Sequence, residues 1–239
     1  MNLDGLIFAA HPDDAELGMG GTIAKLAKNN FSVGIVDLTQ GEMSTRGDTE
    51  SRRQEALKAD SILKTSIREN LLIPDGDIQL TDENIRKVVI LIRKYCPKII
   101  FAPYFSDRHP DHVSASNLAK KAFFMSGLKN YKTSEKGKDQ EKYRPTKIYY
   151  YMQTYTFNPS FIVDISNTFD EKMKAVRAYS SQFHDPENTE PETFISNPEF
   201  IEYVEARAKH YGFQIGKKYG EPFYCDEEIE LDLLQIFSK

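Results

Sequence analysis

The chain has 239 residues, with 31 lysines and arginines against 36 aspartates and glutamates, a net charge of −5, and 40% hydrophobic residues. That composition is globular, and its mild acidity with no basic tract argues against a nucleic-acid binder. Two cysteines cannot build a disulfide framework or a thiolate zinc site, and the longest apolar runs fall far short of the roughly 20 residues of a membrane helix.

The N-terminus has neither the basic n-region nor the long apolar core of a signal peptide, so a cytoplasmic protein without membrane contact is expected. Gly5 to Ala10 is a short apolar run bounded by a turn, the mark of a buried strand. A helix is expected from Leu17 to Lys28 and a second strand from Ser32 to Leu38. Gln40 to Asp48 reads as a polar loop. Thr49 to Lys64 reads as a helix with Ala56, Leu57, Ala59 and Leu63 on its apolar side. A short third strand is expected at Asn70 to Ile73. Thr81 then caps a helix that Pro97 stops near Tyr95. Lys98 to Pro103 is the fourth strand, and a helix opening at Pro110 runs to about Met125. Lys129 to Arg144 is charge-rich and reads as a surface excursion. Two further strands are expected at Lys147 to Met152 and Phe161 to Ile165, and helices at Phe169 to Phe183 and Glu199 to Tyr211. The acidic stretch Asp226 to Asp232 has no readable structure.

Strand–helix alternation with buried apolar strands predicts an α/β fold, a mostly parallel sheet covered on both faces. One domain over residues 1–239 is expected, with 1–128 forming the regular half and 129–239 completing the sheet. The usual strand order for such a half is 3-2-1-4, which makes strands 1 and 4 neighbours and puts a ligand crevice at their carboxyl ends.

Two motifs fall at those ends: His11-Pro12-Asp13-Asp14 after strand 1 and His109-Pro110-Asp111-His112 after strand 4. Imidazole and carboxylate together suit zinc or iron(II). A catalytic metal keeps three protein ligands and one open position, and His11, Asp14 and His112 make such a set. Asp13, beside a ligand but not needed as one, is the candidate general base. His109 is placed to donate to an oxyanion or a leaving group, and Asp111 to hold that imidazole. Taken singly, either motif could be a capped helix start whose carboxylates only favour the dipole. Two of them at adjacent strand ends favour the metal site. The glycines Gly18 to Gly21 lack the spacing of a nucleotide loop and read as close packing. Tyr149 to Tyr151 read as strand packing, His210 as a surface residue, and Gln182 and His184 as candidate crevice residues.

The segments AAHPDDAELGMGGTIAKL, DLTQGEMSTRG, RRQEALKAD and DRHPDH resemble the LmbE / PIG-L family of zinc-dependent N-acetylglucosaminyl deacetylases. GEMSTRG and the length resemble the bacillithiol-biosynthesis members most. The resemblance implies a Rossmann-like sheet, metal ligands His11, Asp14 and His112, the base Asp13, and His109 oriented by Asp111. It implies Zn2+, with iron(II) as the other option, and a homo-oligomer, trimer or hexamer. The substrate it implies is a small acetylated amino sugar, with N-acetylglucosaminyl malate as the specific reading. The alternatives are another derivative such as a chitooligosaccharide, or a non-catalytic sugar- or nucleotide-binding module. Arg53 matches an arginine that contacts the sugar, whereas Arg52 reads as solvent-facing. Glu42, Ser44 and Arg46, in the glycine-bounded loop after strand 2, are expected to touch substrate, and Arg46 and Arg53 would suit its carboxylates. Ala15 departs from the HPDDE wording of many relatives without touching the ligands.

Overall fold

The run GLIFA extends as β1 (Gly5–Ala9), buried along its whole length, with side chains alternating to the two faces of a sheet. Ile7 and Ala9 enter one apolar cluster, and Leu6, Phe8 and Ala10 enter the other. The computed structural model describes residues 1–184 and 189–230. After β1 come α1 (Asp14–Lys28), β2 (Val33–Asp37), α2 (Thr49–Leu63), β3 (Ile67–Asn70), α3 (Asp82–Tyr95), β4 (Ile99–Pro103) and α4 (Pro110–Ser126). A small hairpin, β5 (Ser134–Glu135) with β6 (Lys138–Asp139), occupies the charge-rich excursion. The rest is β7 (Lys147–Tyr151), β8 (Phe161–Asp164), α5 (Phe169–Arg177), α6 (Pro198–Gln214) and β9 (Gly220–Tyr224).

The main sheet has seven strands in the order β3-β2-β1-β4-β7-β9-β8. β1, β2, β3, β4 and β7 pair in parallel, while β9 runs antiparallel to both β7 and β8. The expected 3-2-1-4 order and the α/β class therefore hold. α1, α2, α5 and α6 pack their apolar sides on one face, and α3 and α4 on the other. No described helix is long and apolar enough to cross a membrane.

Three expectations need correction. The third strand is Ile67–Asn70, not Asn70 to Ile73. It is a half-buried edge strand held by Arg68 rather than by apolar side chains, so hydropathy points to the Leu71–Ile73 segment beyond it. The α5 helix ends at Arg177, well before Phe183, and the chain then turns. β9 is absent from the expected elements, because Gly220, Glu221 and Pro222 carry no strand propensity. It is held by a buried Glu221, which accepts from the Gly21 and Thr22 amides and pairs with Lys172 Nζ at 2.6 Å. The stretch from Asp226 lies only partly within the described residues.

The glycines of α1 do pack closely, as their spacing implied. A Cβ on Gly18 would overlap the buried Tyr151 ring, and one on Gly21 would come within 2.7 Å of Ile165. Tyr151 cannot retreat, since its hydroxyl donates to the Phe8 carbonyl at 2.9 Å. Gly18→Ala should destabilise the fold by about 1–3 kcal/mol. In thermal unfolding that is a fall of roughly 2–4 °C per kcal/mol, and an unchanged melting temperature would contradict the packing.

Candidate metal centre

Parallel pairing of Gly5↔Ile99 through Ile7↔Phe101 brings the loops after β1 and β4 to one rim of the sheet. A cavity of about 330 Å³ opens there, lined by His11, Asp13, Asp14, His109, Asp111 and His112 among others. The two motifs, about a hundred positions apart in the chain, do converge.

Asp14 lies between two imidazoles. Its Oδ2 is 3.4 Å from His11 Nδ1, and its Oδ1 is 3.1 Å from His112 Nε2. The far nitrogen of each ring rests on a further carboxylate: His11 Nε2 is 3.1 Å from Asp75 Oδ1, and His112 Nδ1 is 2.8 Å from Asp107 Oδ1. Those carboxylates are themselves held. Asp107 accepts from the Thr154 and Tyr155 amides at 2.7 and 3.1 Å, and Asp75 accepts from the Met43 amide at 2.9 Å. A carboxylate on the outer nitrogen is the usual way a metal-binding histidine is oriented and made more basic.

The protonation equilibria agree. Burial works against a charge on His11, but Asp111, Asp14 and Asp75 outweigh it and raise its pKa well above the ordinary value. His112 is likewise opposed by burial yet pushed up to about 9 by Asp14 and Asp107. Asp14 is held well below the usual range, its burial outweighed by His112 and His11. The pocket thus calls for positive charge, which a divalent cation can supply in place of the imidazole protons. The nitrogens of His11, His109 and His112 lie within 4.8 Å of one another, as do ligand atoms of His11, Asp75 and Asp111. The residues present fit a metal ion.

Asp13 is fully enclosed, with a backbone φ of 121° that non-glycine residues rarely adopt. Such a conformation costs of order 1–3 kcal/mol and persists only where its surroundings enforce it. Burial pushes its carboxyl up to about 7, with Arg52 pulling the other way. Arg52 Nη2 is 3.3 Å from Asp13 Oδ2. Among the described residues, the buried Nε and Nη1 atoms of Arg52 have no hydrogen-bond partner. Gly41, at φ 70°, lies so close that a Cβ would sit 3.2 Å from Arg52 Nη2.

His109 caps α4, and its Nδ1 accepts from the Asp111 amide at 3.2 Å. Its ring stacks on His112 with centroids 4.9 Å apart. Burial lowers its pKa, with His11 and His112 adding to the effect. An accepting Nδ1 on a neutral ring leaves the proton on Nε2.

Several assignments change with these positions. Asp111 does not orient His109 through its carboxylate. Its Oδ2 accepts from the Gly76 amide at 2.9 Å and lies 3.4 Å from His11 Nε2. The first turn of α4 offers His109 the Asp111 backbone N–H and sends the side chain across to the Asp75–Gly76 turn. Arg53 and Arg52 exchange places relative to the expected ones. Arg53 is exposed and pairs with Glu50 at 2.7 Å, outside the cavity, whereas Arg52 is buried and lines it. Helical periodicity explains this, because Arg52 shares the buried face of α2 with Ala56, Ala59 and Leu63, and Arg53 is a step of about 100° away. Ser44 lines the cavity and donates to Gln182 at 2.9 Å. Glu42 instead accepts from the Asp75 amide at 2.8 Å, and Arg46 is buried with Nη1 on the Phe183 carbonyl at 3.3 Å, so neither lines the cavity. Gln182 does line it, while His184 and His210 are exposed elsewhere. Asp75, Asp107, Arg108 and Arg207 were not singled out from the sequence. Asp75 had a signal, a Pro-Asp-Gly turn beyond the third strand on the same rim, and Asp107 stands two residues before His109.

A family model described as PIG-L, GlcNAc-PI de-N-acetylase, matches residues 6–123. A diacetylchitobiose deacetylase of Thermococcus kodakarensis is 32% identical over 90% of this chain and 80% of its own length. The solved structure of a conserved protein from Thermus thermophilus superposes with a TM-score of 0.86 at 37% identity, covering 96% of this chain and 97% of that one. An N,N'-diacetylchitobiose deacetylase from Pyrococcus horikoshii gives a TM-score of 0.79 at 30% identity, over 92% of this chain and 82% of that one.

Asp107 touches no cavity-facing nitrogen, so its contribution is separable from that of the ligands. Asp107→Asn should weaken zinc binding roughly 10–100-fold, measured by competition with a chromophoric chelator. Unaltered affinity would show that His112 needs no such support.

Proposed function

The chain belongs to the PIG-L family of de-N-acetylases, and on that premise we propose that it hydrolyses the acetamide of an N-acetylglucosamine unit in a chitooligosaccharide-type substrate. The observation that carries the reading is a buried carboxylate, Asp13, raised to about 7 and adjoining the His11–Asp14–His112 set. A site that only binds sugar has no use for that pairing. The substrate follows from the likeness to two diacetylchitobiose deacetylases, which favours an oligosaccharide over the malate conjugate that GEMSTRG suggests.

His11, Asp14 and His112 would hold the metal, zinc or iron(II), which supplies Lewis acidity and a bound water of lowered pKa. Asp13 takes the proton from the attacking water and returns it to the departing amine, so the products are acetate and the free amino sugar. His109 directs its Nε2–H at the developing oxyanion. Arg52, which lines the cavity, holds Asp13 in place and takes the part that the resemblance gave to Arg53.

One observation favours the malate conjugate as a second reading. Arg108 lines the cavity without an acidic partner among the described residues, its guanidinium 4.4 Å from the Phe194 ring centre, and a free guanidinium suits a carboxylate. Acetate release from N,N'-diacetylchitobiose and from N-acetylglucosaminyl malate separates the two, and preference for the disaccharide is expected. Release from neither would reject the deacetylase.

Asp13→Asn should lower kcat about 10²–10⁴-fold while elemental analysis still finds one metal per chain; near-normal turnover would remove Asp13 as the base. The base works deprotonated, so kcat should fall as the pH drops through 7 and below, and a bound cation would move that limb lower. Arg52→Ala should depress kcat/KM at least as much as loss of one charged hydrogen bond, about tenfold, and Arg53→Ala should change it less than twofold. The opposite ranking would restore the original assignment.

A further inference from the structure

A second and larger cavity, of about 690 Å³, lies along α6 and the 156–159 loop. It shares Tyr203 and Arg207 with the reaction cavity, so the two adjoin at these side chains. Tyr203 is held by its hydroxyl, which donates to the Thr154 carbonyl at 3.3 Å. Arg207 spends its guanidinium on backbone, donating to the carbonyls of Gln153 and Leu17.

The two cavities differ in chemistry. The reaction cavity is crowded with carboxylates, whereas no acidic side chain among the described residues lines the second. Its walls carry the rings of Phe157 and Tyr211 and the polar groups of Asn158, His210 and Gln214. His210 and Gln214 meet at 2.9 Å on the outer face of α6. Among the described residues of the groove, Arg207 is committed to the Gln153 and Leu17 carbonyls and no carboxylate is offered to a metal. Aromatic faces with neutral donors and acceptors suit an uncharged, hydroxyl-rich ligand.

We propose that this groove is an extended binding site for further sugar residues of a neutral N-acetylglucosamine oligosaccharide whose acetylated unit occupies the reaction cavity. The proposal rests on the deacetylase reading and sharpens its substrate. The groove adjoins the reaction cavity and adds room beyond it, so the preferred chain is longer than a disaccharide.

The test compares kcat/KM for acetylated chitobiose, chitotriose and chitotetraose in the metal-loaded protein and in the double variant His210→Ala, Gln214→Ala. Both residues are exposed, and the fold does not rest on them. The native protein should prefer the tetrasaccharide over the disaccharide by roughly tenfold, the worth of one or two net hydrogen bonds. The double variant should bring that ratio close to one. No chain-length preference in the native protein, or an equal loss on every substrate, would overturn the groove. A second readout is independent of turnover: the His210 ring resonances in NMR should move on adding chitotriose and not on adding N-acetylglucosamine. Unmoved resonances with the trisaccharide also overturn it. Shifted resonances without acetate release from any substrate would support the groove and reject the deacetylase reading.

Discussion

A carboxylate buried between two imidazoles is tolerable only if every charge around it is answered, and the rim of this sheet is organised by that requirement. Asp14 faces His11 and His112, each of those rings leans on an outer carboxylate, and each outer carboxylate is held by backbone amides. Removing one partner of such a buried pair is costly, about 3–5 kcal/mol, because the remaining charge is left dry and alone. Five loops are tied together in consequence. Those after β1 and β4 bring the motifs, the turn after β3 brings Asp75, the loop after β2 supplies the Met43 amide, and the segment after β7 supplies the amides of Thr154 and Tyr155.

A second polar layer lies beneath the first. Arg68, from the edge strand β3, pairs with Glu16, Asp37 and Asp60 at 2.7, 2.7 and 3.2 Å. The Tyr179 hydroxyl donates to Glu16 at 3.0 Å. Burial raises the carboxyl of Asp37, and that of Asp60 to about 6, against the pull of Arg68. This layer joins α1, β2, α2, β3 and the turn after α5 directly below the Asp13–Asp14 loop. Farther along α1, the buried Lys172–Glu221 pair fastens the helix to β9. The Asp13–Asp14 loop and the first half of α1 are thus held by polar contacts as well as by apolar packing.

How far these features could be read in advance depended on their range. The five-residue strands β1, β2 and β4 announce themselves by continuous apolar runs, and Thr81, Pro97 and Pro110 mark helix ends by local chemistry. β3 and β9 escaped because long-range polar contacts hold them: Arg68 reaches Asp37 across the sheet edge, and Glu221 reaches Lys172 and the α1 amides. Among site residues, the His-Pro-Asp motifs stood out by type and spacing. Arg52 and Arg53 lie the other way round from the expected exposures, as the period of α2 implies; in that expectation the resemblance outweighed the helical face.

The sequence by itself determined the α/β class, the strand order of its regular half, and the two motifs whose histidines and carboxylates meet at one rim. These are properties of local pattern, since buried strands, caps and motif spacing are written within a few residues of each other. Only the tertiary structure decided which outer carboxylate serves which ring, that Asp111 turns toward His11, and that a groove on α6 with no carboxylate among its described lining residues adjoins a strongly acidic cavity. Those outcomes depend on side chains from distant elements meeting in a dry interior. There the cost of an unanswered charge, which no local pattern records, selects the partners.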